Sequence, residues 1–214
     1  MANESYTTLA RYAEFRYEDR RSEFIAEASP CQSEEEATAF IARVKARFPD
    51  ARHHVYAYLL RENAKNRYSD DHEPQGTAGM PVLDVIRKNG CTDTVIVVTR
   101  YFGGVLLGTG GLVRAYTAAA VGALREAGVV TYRVHRHLSL ELSYADYNKI
   151  QQEITSHGAR VLETEYAEGV VLCVSIPKEE SESYEKHISE VSYGRAVITV
   201  LGECFEHGEE HDVV

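Results

Sequence analysis

Long apolar runs are missing from this sequence. No stretch approaches the roughly 18 apolar residues that a membrane-spanning helix requires. The amino-terminal residues also lack the apolar run behind a basic patch that marks a secretory signal peptide. We therefore expect a cytoplasmic protein that has no membrane partner.

Closely spaced cysteines are missing as well. The four cysteines are Cys31, Cys91, Cys173 and Cys204, and no two of them form a CxxC metal or redox motif. In a cytoplasmic chain such residues are expected to be reduced thiols. The spacing does not single out a catalytic cysteine.

Excess positive charge, which favours nucleic-acid binding, is also absent, because the formal net charge is −10. The acidity is unevenly distributed. Residues 1–132 carry 16 Lys and Arg against 17 Asp and Glu, whereas residues 133–214 carry 7 against 16. Any contact with RNA is therefore expected in the first part of the chain or on a local basic face.

The first part of the chain shows the patterns of an α/β domain with an ordinary apolar core. Strands are predicted over 22–30, 53–60 and 94–100, and the continuous β-branched run of the third indicates burial on both faces. A capping box at Ser33 and Glu36 begins one helix. Further helices are predicted over about 77–88 and 112–127, while residues 1–20 show no clear periodicity.

The last third of the sequence has a different order of elements. Strands over 134–142, 161–166, 170–176 and 196–201 alternate with helices over 144–157 and 177–191. This β-α-β-β-α-β order is typical of a ferredoxin-like domain. The chain is thus predicted to be an α+β protein with domains at 1–131 and 132–214, the second ending in a disordered acidic tail.

A glycine-rich segment over 101–111, YFGGVLLGTGG, lies between the buried strand and the next helix. Backbone N–H groups and the helix dipole converge at such a turn, which makes it a natural anion site. Arg100 and Arg114 flank the segment and add positive charge. No P-loop or GxGxxG motif is completed, so a crowded corner where only glycine fits is an equal alternative.

A second polar segment covers 68–79, YSDDHEPQGTAG. Its carboxylates beside His72 have the chemistry of a metal or acid–base site, and they also suit a simple turn in which Thr77 caps the next helix. At most one of His53 and His54 is expected to face this loop. No HExxH or GxSxG motif occurs, so no catalytic residue, metal ligand or cofactor is assigned.

Residues 11–21 interleave arginines with aromatic residues, which is the chemistry of a single-stranded RNA surface. Three acidic residues dilute this segment. An ordinary mixed surface is therefore the preferred interpretation.

The motifs RYFGGVLLGTGGLVRAY at 100–116 and SDDHEPQGTAGMP at 69–81 resemble the signature region of the YigZ/IMPACT family. The resemblance implies a first domain with the split β-α-β fold of several ribosomal and phosphate-handling proteins. It implies a second domain like one of elongation factor G. The eukaryotic relatives restrain a translation-stress kinase pathway by competing for its activator, which implies a role in translation.

The sequence departs from this family pattern at two positions. Glu23 stands in RRSEFIA where a basic residue is expected, which weakens any nucleic-acid contact inferred for that strand. His72 replaces a glycine, and a turn with positive φ there costs histidine more than glycine.

Two functional hypotheses follow from these observations. The first is a non-enzymatic regulator that binds the ribosome, RNA or a translation-related protein. The second is a metal-assisted enzyme acting on a phosphorylated small molecule between 69–79 and 101–111. The residues predicted to bind are Arg100, Tyr101, Gly103, Gly104, Gly108, Thr109, Gly110, Gly111 and Arg114, with Asp70, Asp71, Glu73 and Thr77 as the opposite wall.

Overall fold

The computed structural model describes residues 5–214, apart from the side chain of Glu209. The chain divides into two compact units. The first contains residues 6–131 and 208–214, and the second contains residues 132–207 with residue 5. No helix in this described part of the chain is both long and apolar enough to cross a membrane.

The first unit is built on an antiparallel sheet. Its elements are β1 (Ser5–Leu9), β2 (Ala13–Asp19), β3 (Ser22–Pro30), α1 (Glu34–Arg47), β4 (His53–Leu59), β5 (Asn66–Ser69), α2 (Gly79–Lys88), β6 (Thr94–Tyr101) and α3 (Gly108–Ala127). The sheet order is β2-β3-β6-β4-β5, with each neighbouring pair antiparallel.

The central strand β6 is buried on both faces, as its β-branched sequence predicted. Ile96 and Val98 pack beneath α2 and α3, whereas Val95 and Val97 pack against α1. The small residues of α3 allow a close approach to the sheet. A Cβ at Gly122 would lie 2.2 Å from the ring of Phe15.

The second unit follows the predicted β-α-β-β-α-β order. Its elements are the greater part of β7 (Val129–Leu142), α4 (Tyr144–Ile150), β8 (Arg160–Tyr166), β9 (Val170–Pro177), α5 (Ser181–Val191) and the greater part of β10 (Val197–His211). Strand β7 pairs with β1, β9 and β10, and β9 pairs with β8, which makes a five-stranded sheet. The predicted α+β class with two domains is confirmed.

Alternation along β7 separates two faces of this second sheet. Leu138, Leu140 and Leu142 are buried in a core that Tyr184 and Ile188 of α5 complete. The intervening residues of β7 point to the opposite face, which polar side chains occupy.

Several elements differ from the sequence-based expectation. The unassigned amino-terminal residues form β1 and β2, and the predicted loop at 61–76 contains the short strand β5. Helix α3 begins at Gly108 instead of Leu112, so three glycines of low helix propensity lie in its first turn. Helix α4 ends at Ile150, seven residues before the predicted end.

The carboxyl-terminal segment, expected to be disordered, is ordered. Strand β10 continues to His211, and Val213 packs against the core of the first unit. The backbone N–H of Val214 donates to Asn89 Oδ1 over 2.8 Å. The acidic segment therefore forms part of the first unit.

Candidate binding cleft

The glycine-rich segment is a loop over 102–107 followed by the first turn of α3. Gly104 and Gly108 have φ values of +82° and +71°, which favour glycine. Gly103 is required for a different reason, because a Cβ there would lie 2.0 Å from the backbone carbon of Arg21. The alternative of a corner where only glycine fits therefore applies to Gly103. Gly108, Thr109 and Gly110 are exposed to solvent.

Arg100 lies beneath this loop and is only 6% exposed. Its Nη1 donates to Glu73 Oε1 over 2.6 Å, and the Tyr116 hydroxyl donates to the same oxygen over 2.8 Å. Burial, followed by the adjacent carboxylate, raises the pKa of Tyr116 well above its ordinary value, so Tyr116 remains a donor. Arg100 and Glu73 therefore form a buried ion pair whose contacts stabilise the fold.

The 69–79 loop directs its carboxylates towards its own backbone. Asp70 accepts from the N–H groups of Gly76, Ala78 and Gly79 over 2.8–3.1 Å and so caps α2. Thr77 does not serve as the predicted N-cap, since its hydroxyl donates to the Pro74 carbonyl over 2.6 Å. The acid that caps this helix comes from nine residues before its first residue.

Asp71 ties the same loop to β4. Its Oδ2 accepts from the His54 N–H over 2.7 Å, and its carbonyl lies 2.9 Å from His53 Nδ1. Both histidines therefore contact the loop, and His54 is buried instead of lying on the surface. His72 has a φ of +70°, the left-handed conformation expected to disfavour it.

A cleft of about 410 Å³ opens between these two segments. Four of the predicted residues line it, namely Glu73, Arg100, Gly108 and Thr109, together with Arg52, His53, Pro74, Phe102, Leu106, Leu107 and Leu112. Phe102 and Leu106 are 51% and 82% exposed, so the rim of the cleft is apolar. The other nine predicted residues do not line it, namely Asp70, Asp71, Thr77, Tyr101, Gly103, Gly104, Gly110, Gly111 and Arg114.

Tyr101 lies apart because successive side chains of β6 point to opposite faces. Its hydroxyl donates to Asp50 Oδ1 over 2.8 Å. Burial, followed by the Asp50 carboxylate, raises the pKa of this phenol. Tyr101 therefore supports the loop after α1 and does not join Arg100 in the cleft.

Four exposed arginines surround the glycine-rich segment. Arg114 folds back over the first turn of α3, with Nη1 3.6 Å from the Cβ position of Gly110. Arg20 and Arg21 form the β2–β3 turn that contacts Gly103, and Arg52 lines the cleft. Within residues 5–214 none of the four has an ion pair. We call residues 102–110 with these four arginines the glycine-rich face.

Sequence reasoning missed several members of this face. Arg52 and Phe102 were not considered, and Arg20 and Arg21 were assigned to an ordinary mixed surface. The register of the sheet brings them together, because Glu23 pairs with Tyr101 and His53 pairs with Arg100. The sequence alone does not give this register, so it could not bring these residues together.

The fold and the cleft define the class, a two-domain α+β protein with an open cleft beside a helix N-terminus. The sequence matches the family described as Impact N-terminal domain over residues 20–124. It matches the domain of unknown function DUF1949 over residues 140–195.

Two relatives match this chain over nearly their whole length. The chain is 34% identical over 212 residues to the IMPACT family member YvyE of Bacillus subtilis, covering 96% of this chain and 98% of that protein. It is 31% identical to the IMPACT family member YigZ of Escherichia coli, covering 87% and 93%. The chain belongs to the IMPACT family.

A solved structure shares the fold over nearly the whole chain. This crystal structure of a hypothetical protein superposes with a TM-score of 0.59 at 30% sequence identity. The match covers 94% of this chain and 98% of the other.

Proposed function

We propose that this chain is a non-enzymatic binding protein that acts in translation, and that RNA binds to its glycine-rich face. The placement of Arg114 carries the proposal. Its guanidinium lies over the first turn of α3, where the helix dipole is already positive and no acidic residue is present. A phosphate group at this position would satisfy both the free N–H groups and the arginine.

The apolar rim supports a nucleic acid over a simple anion. Phe102 exposes half of its surface beside the helix N-terminus. Bases of single-stranded RNA stack on exposed aromatic rings while neighbouring arginines contact the phosphates. Arg52 lines the same cleft as Phe102. Arg20 and Arg21 form the turn that contacts Gly103, so all three arginines are available for phosphate contacts on this face.

The opposite wall offers little support for the alternative, a metal-assisted enzyme. Asp70 uses both carboxylate oxygens to accept backbone N–H groups, and Asp71 accepts the N–H of His54. Glu73 is paired with Arg100. A divalent cation would have to displace these contacts before these carboxylates became ligands.

The proposed role in translation rests on membership of the IMPACT family. The resemblance to that family implies that the partner is ribosomal RNA, another RNA or a translation-related protein. The near-neutral charge of residues 1–132 is compatible with RNA, whereas the acidic second unit repels it. RNA is therefore expected to contact the first unit.

The experiment is a titration of the purified chain with a fluorescent single-stranded RNA at two salt concentrations. Arg114→Glu is expected to weaken binding at least about tenfold and to reduce the salt slope by about 1. Phe102→Ala is expected to lose about 1–3 kcal/mol of binding free energy. Circular dichroism establishes that each variant is folded.

Arg125→Glu is the matched control, because Arg125 is exposed at the other end of the same helix. It is expected to retain the wild-type affinity. Absence of RNA binding by the wild-type chain, or an equal loss in both arginine variants, contradicts the proposal. Recovery of one protein from lysate after RNase treatment would replace RNA with a protein partner.

A further inference from the structure

The helix-free face of the second sheet carries a cluster that the proposed function does not use. His135 and His137 are two residues apart on β7, and Cys204 and Glu206 are two residues apart on β10. Residues at this spacing on a strand share one face, and β10 pairs directly with β7. All four belong to the second unit.

The donor atoms of three of these residues converge. His137 Nε2 lies 2.7 Å from Glu206 Oε1 and 3.3 Å from Cys204 Sγ, and the sulfur lies 3.7 Å from the same carboxylate oxygen. Ligands of a tetrahedral Zn²⁺ at about 2.0–2.3 Å are separated from one another by roughly 3.3–3.6 Å. An ion therefore fits once His137 and Glu206 move apart by about half an ångström.

Surrounding residues hold the Glu206 carboxylate in place. Ser175 Oγ donates to Oε1 over 2.8 Å, and Arg160 forms an ion pair with Oε2. Such outer contacts orient metal ligands in established sites. His135 Nδ1 lies 2.9 Å from Ser175 Oγ and 3.8 Å from Oε2, so this histidine borders the cluster.

The donor set determines which metal the cluster suits. One imidazole nitrogen, one thiol and one carboxylate match Zn²⁺, whereas Mg²⁺ and Ca²⁺ prefer oxygen ligands alone. The positive charge of Arg160 disfavours a nearby cation, but this charge is already paired with Oε2 of Glu206. The excess of acidic residues over 133–214 favours cations near this unit.

We propose that His137, Cys204 and Glu206 form a binding site for Zn²⁺, with water or His135 as the fourth ligand. Neutral His137 supplies its Nε2 lone pair. The thiol of Cys204 loses its proton to solvent and binds as thiolate, and Glu206 binds through Oε1. Binding links β7 to β10 through side chains in addition to their backbone pairing.

The test uses the full chain freed of metal by a chelator, with Co²⁺ and Zn²⁺ as the probes. Co²⁺ is expected to give a thiolate-to-cobalt charge-transfer absorption that added Zn²⁺ abolishes. Cys204→Ser should abolish this absorption, and His137→Gln should weaken Zn²⁺ binding at least about tenfold. Cys204 is exposed, so its replacement leaves the core intact.

Cys173→Ser is the matched control, because Cys173 lies on the adjacent strand β9 and is not part of the cluster. It is expected to retain the absorption and the affinity. The proposal is overturned if wild type shows no charge-transfer absorption. It is also overturned if Zn²⁺ affinity is the same in wild type, Cys204→Ser and His137→Gln, or if only Cys173→Ser loses it.

Discussion

Both segments predicted to wall the cleft contained or adjoined charged candidate residues, yet the structure uses the charges of the two segments in opposite ways. In the 69–79 loop the carboxylates accept hydrogen bonds from the backbone of α2 and β4, or pair with Arg100. On the glycine-rich face, Arg52 and Arg114 are exposed, and neither has an ion pair in the part of the chain described.

This difference shows that the number of charges in a loop says little about binding until their partners are known. A carboxylate whose oxygens are already satisfied costs free energy to recruit, because its donors must be left without an acceptor. An unpaired arginine beside a helix N-terminus requires no such exchange. We therefore expect the acidic wall to determine stability and the glycine-rich face to determine binding.

The largest expected effect on stability is that of Glu73→Ala. It leaves Arg100 buried without its carboxylate and Tyr116 without an acceptor, which costs about 3–5 kcal/mol in the free energy of unfolding. Urea denaturation measures it. Glu126→Ala, at an exposed position, should change the same quantity by less than about 0.5 kcal/mol. A loss below about 1 kcal/mol for Glu73→Ala would mean that the pair is not structural.

The glycine-rich segment provides a comparison within one wall. Gly103→Ala forces a Cβ into the backbone of Arg21 and should cost about 3 kcal/mol. Gly104→Ala meets no atom within 4 Å, and its positive φ should cost about 1–2 kcal/mol. Denaturation of both variants gives the order of the two costs. The reverse order would refute the close contact at Gly103.

A smaller loss of stability is expected for Asp70→Ala, because two N–H groups at the start of α2 and one in the preceding turn lose their acceptor. Loss of such a cap costs about 1–2 kcal/mol. Asp70→Asn keeps one acceptor oxygen and should lose less. If the two variants unfold at the same denaturant concentration, capping by the remaining oxygen is disproved.

The smallest effect on stability is expected for Arg114→Gln. Removing a cation from the positive end of α3 should leave the free energy of unfolding unchanged or raise it by up to about 0.5 kcal/mol. Parallel urea curves of wild type and variant measure the change. A clear destabilisation would show that Arg114 stabilises the fold. The glycine-rich face would then resemble the 69–79 loop, whose charged side chains are used for stability.

The sequence predicted an element well where a single local property, such as a β-branched run or a capping box, determines that element. The β-branched run of β6 and the capping box at Ser33 predicted elements that lie within one or two residues of those observed. The alternation of apolar and polar residues over 13–18 was a strand signal for β2 that the sequence-based prediction for residues 1–20 missed. The sequence was uninformative for β5, whose residues are mostly exposed and which is a strand because it pairs with β4.

The candidate cleft was predicted only in outline for the same reason. Gly108 and Thr109 were found from the glycine spacing, but the pairing of Glu73 with Arg100 depends on residues 27 positions apart. The approach of Arg21 to Gly103 depends on the register of β3 with β6. Side-chain partners of this kind follow from tertiary packing, which sequence spacing does not encode.

The return of residues 208–214 to the first unit has a consequence for synthesis of the chain on the ribosome. Domains generally fold as units while the chain emerges, the amino-terminal one first. Here the unit made first acquires the contacts of Val213 and Val214 only after all the residues of the second unit have been made. Its completion therefore awaits synthesis of the second unit, long after its own helices and central sheet have been translated.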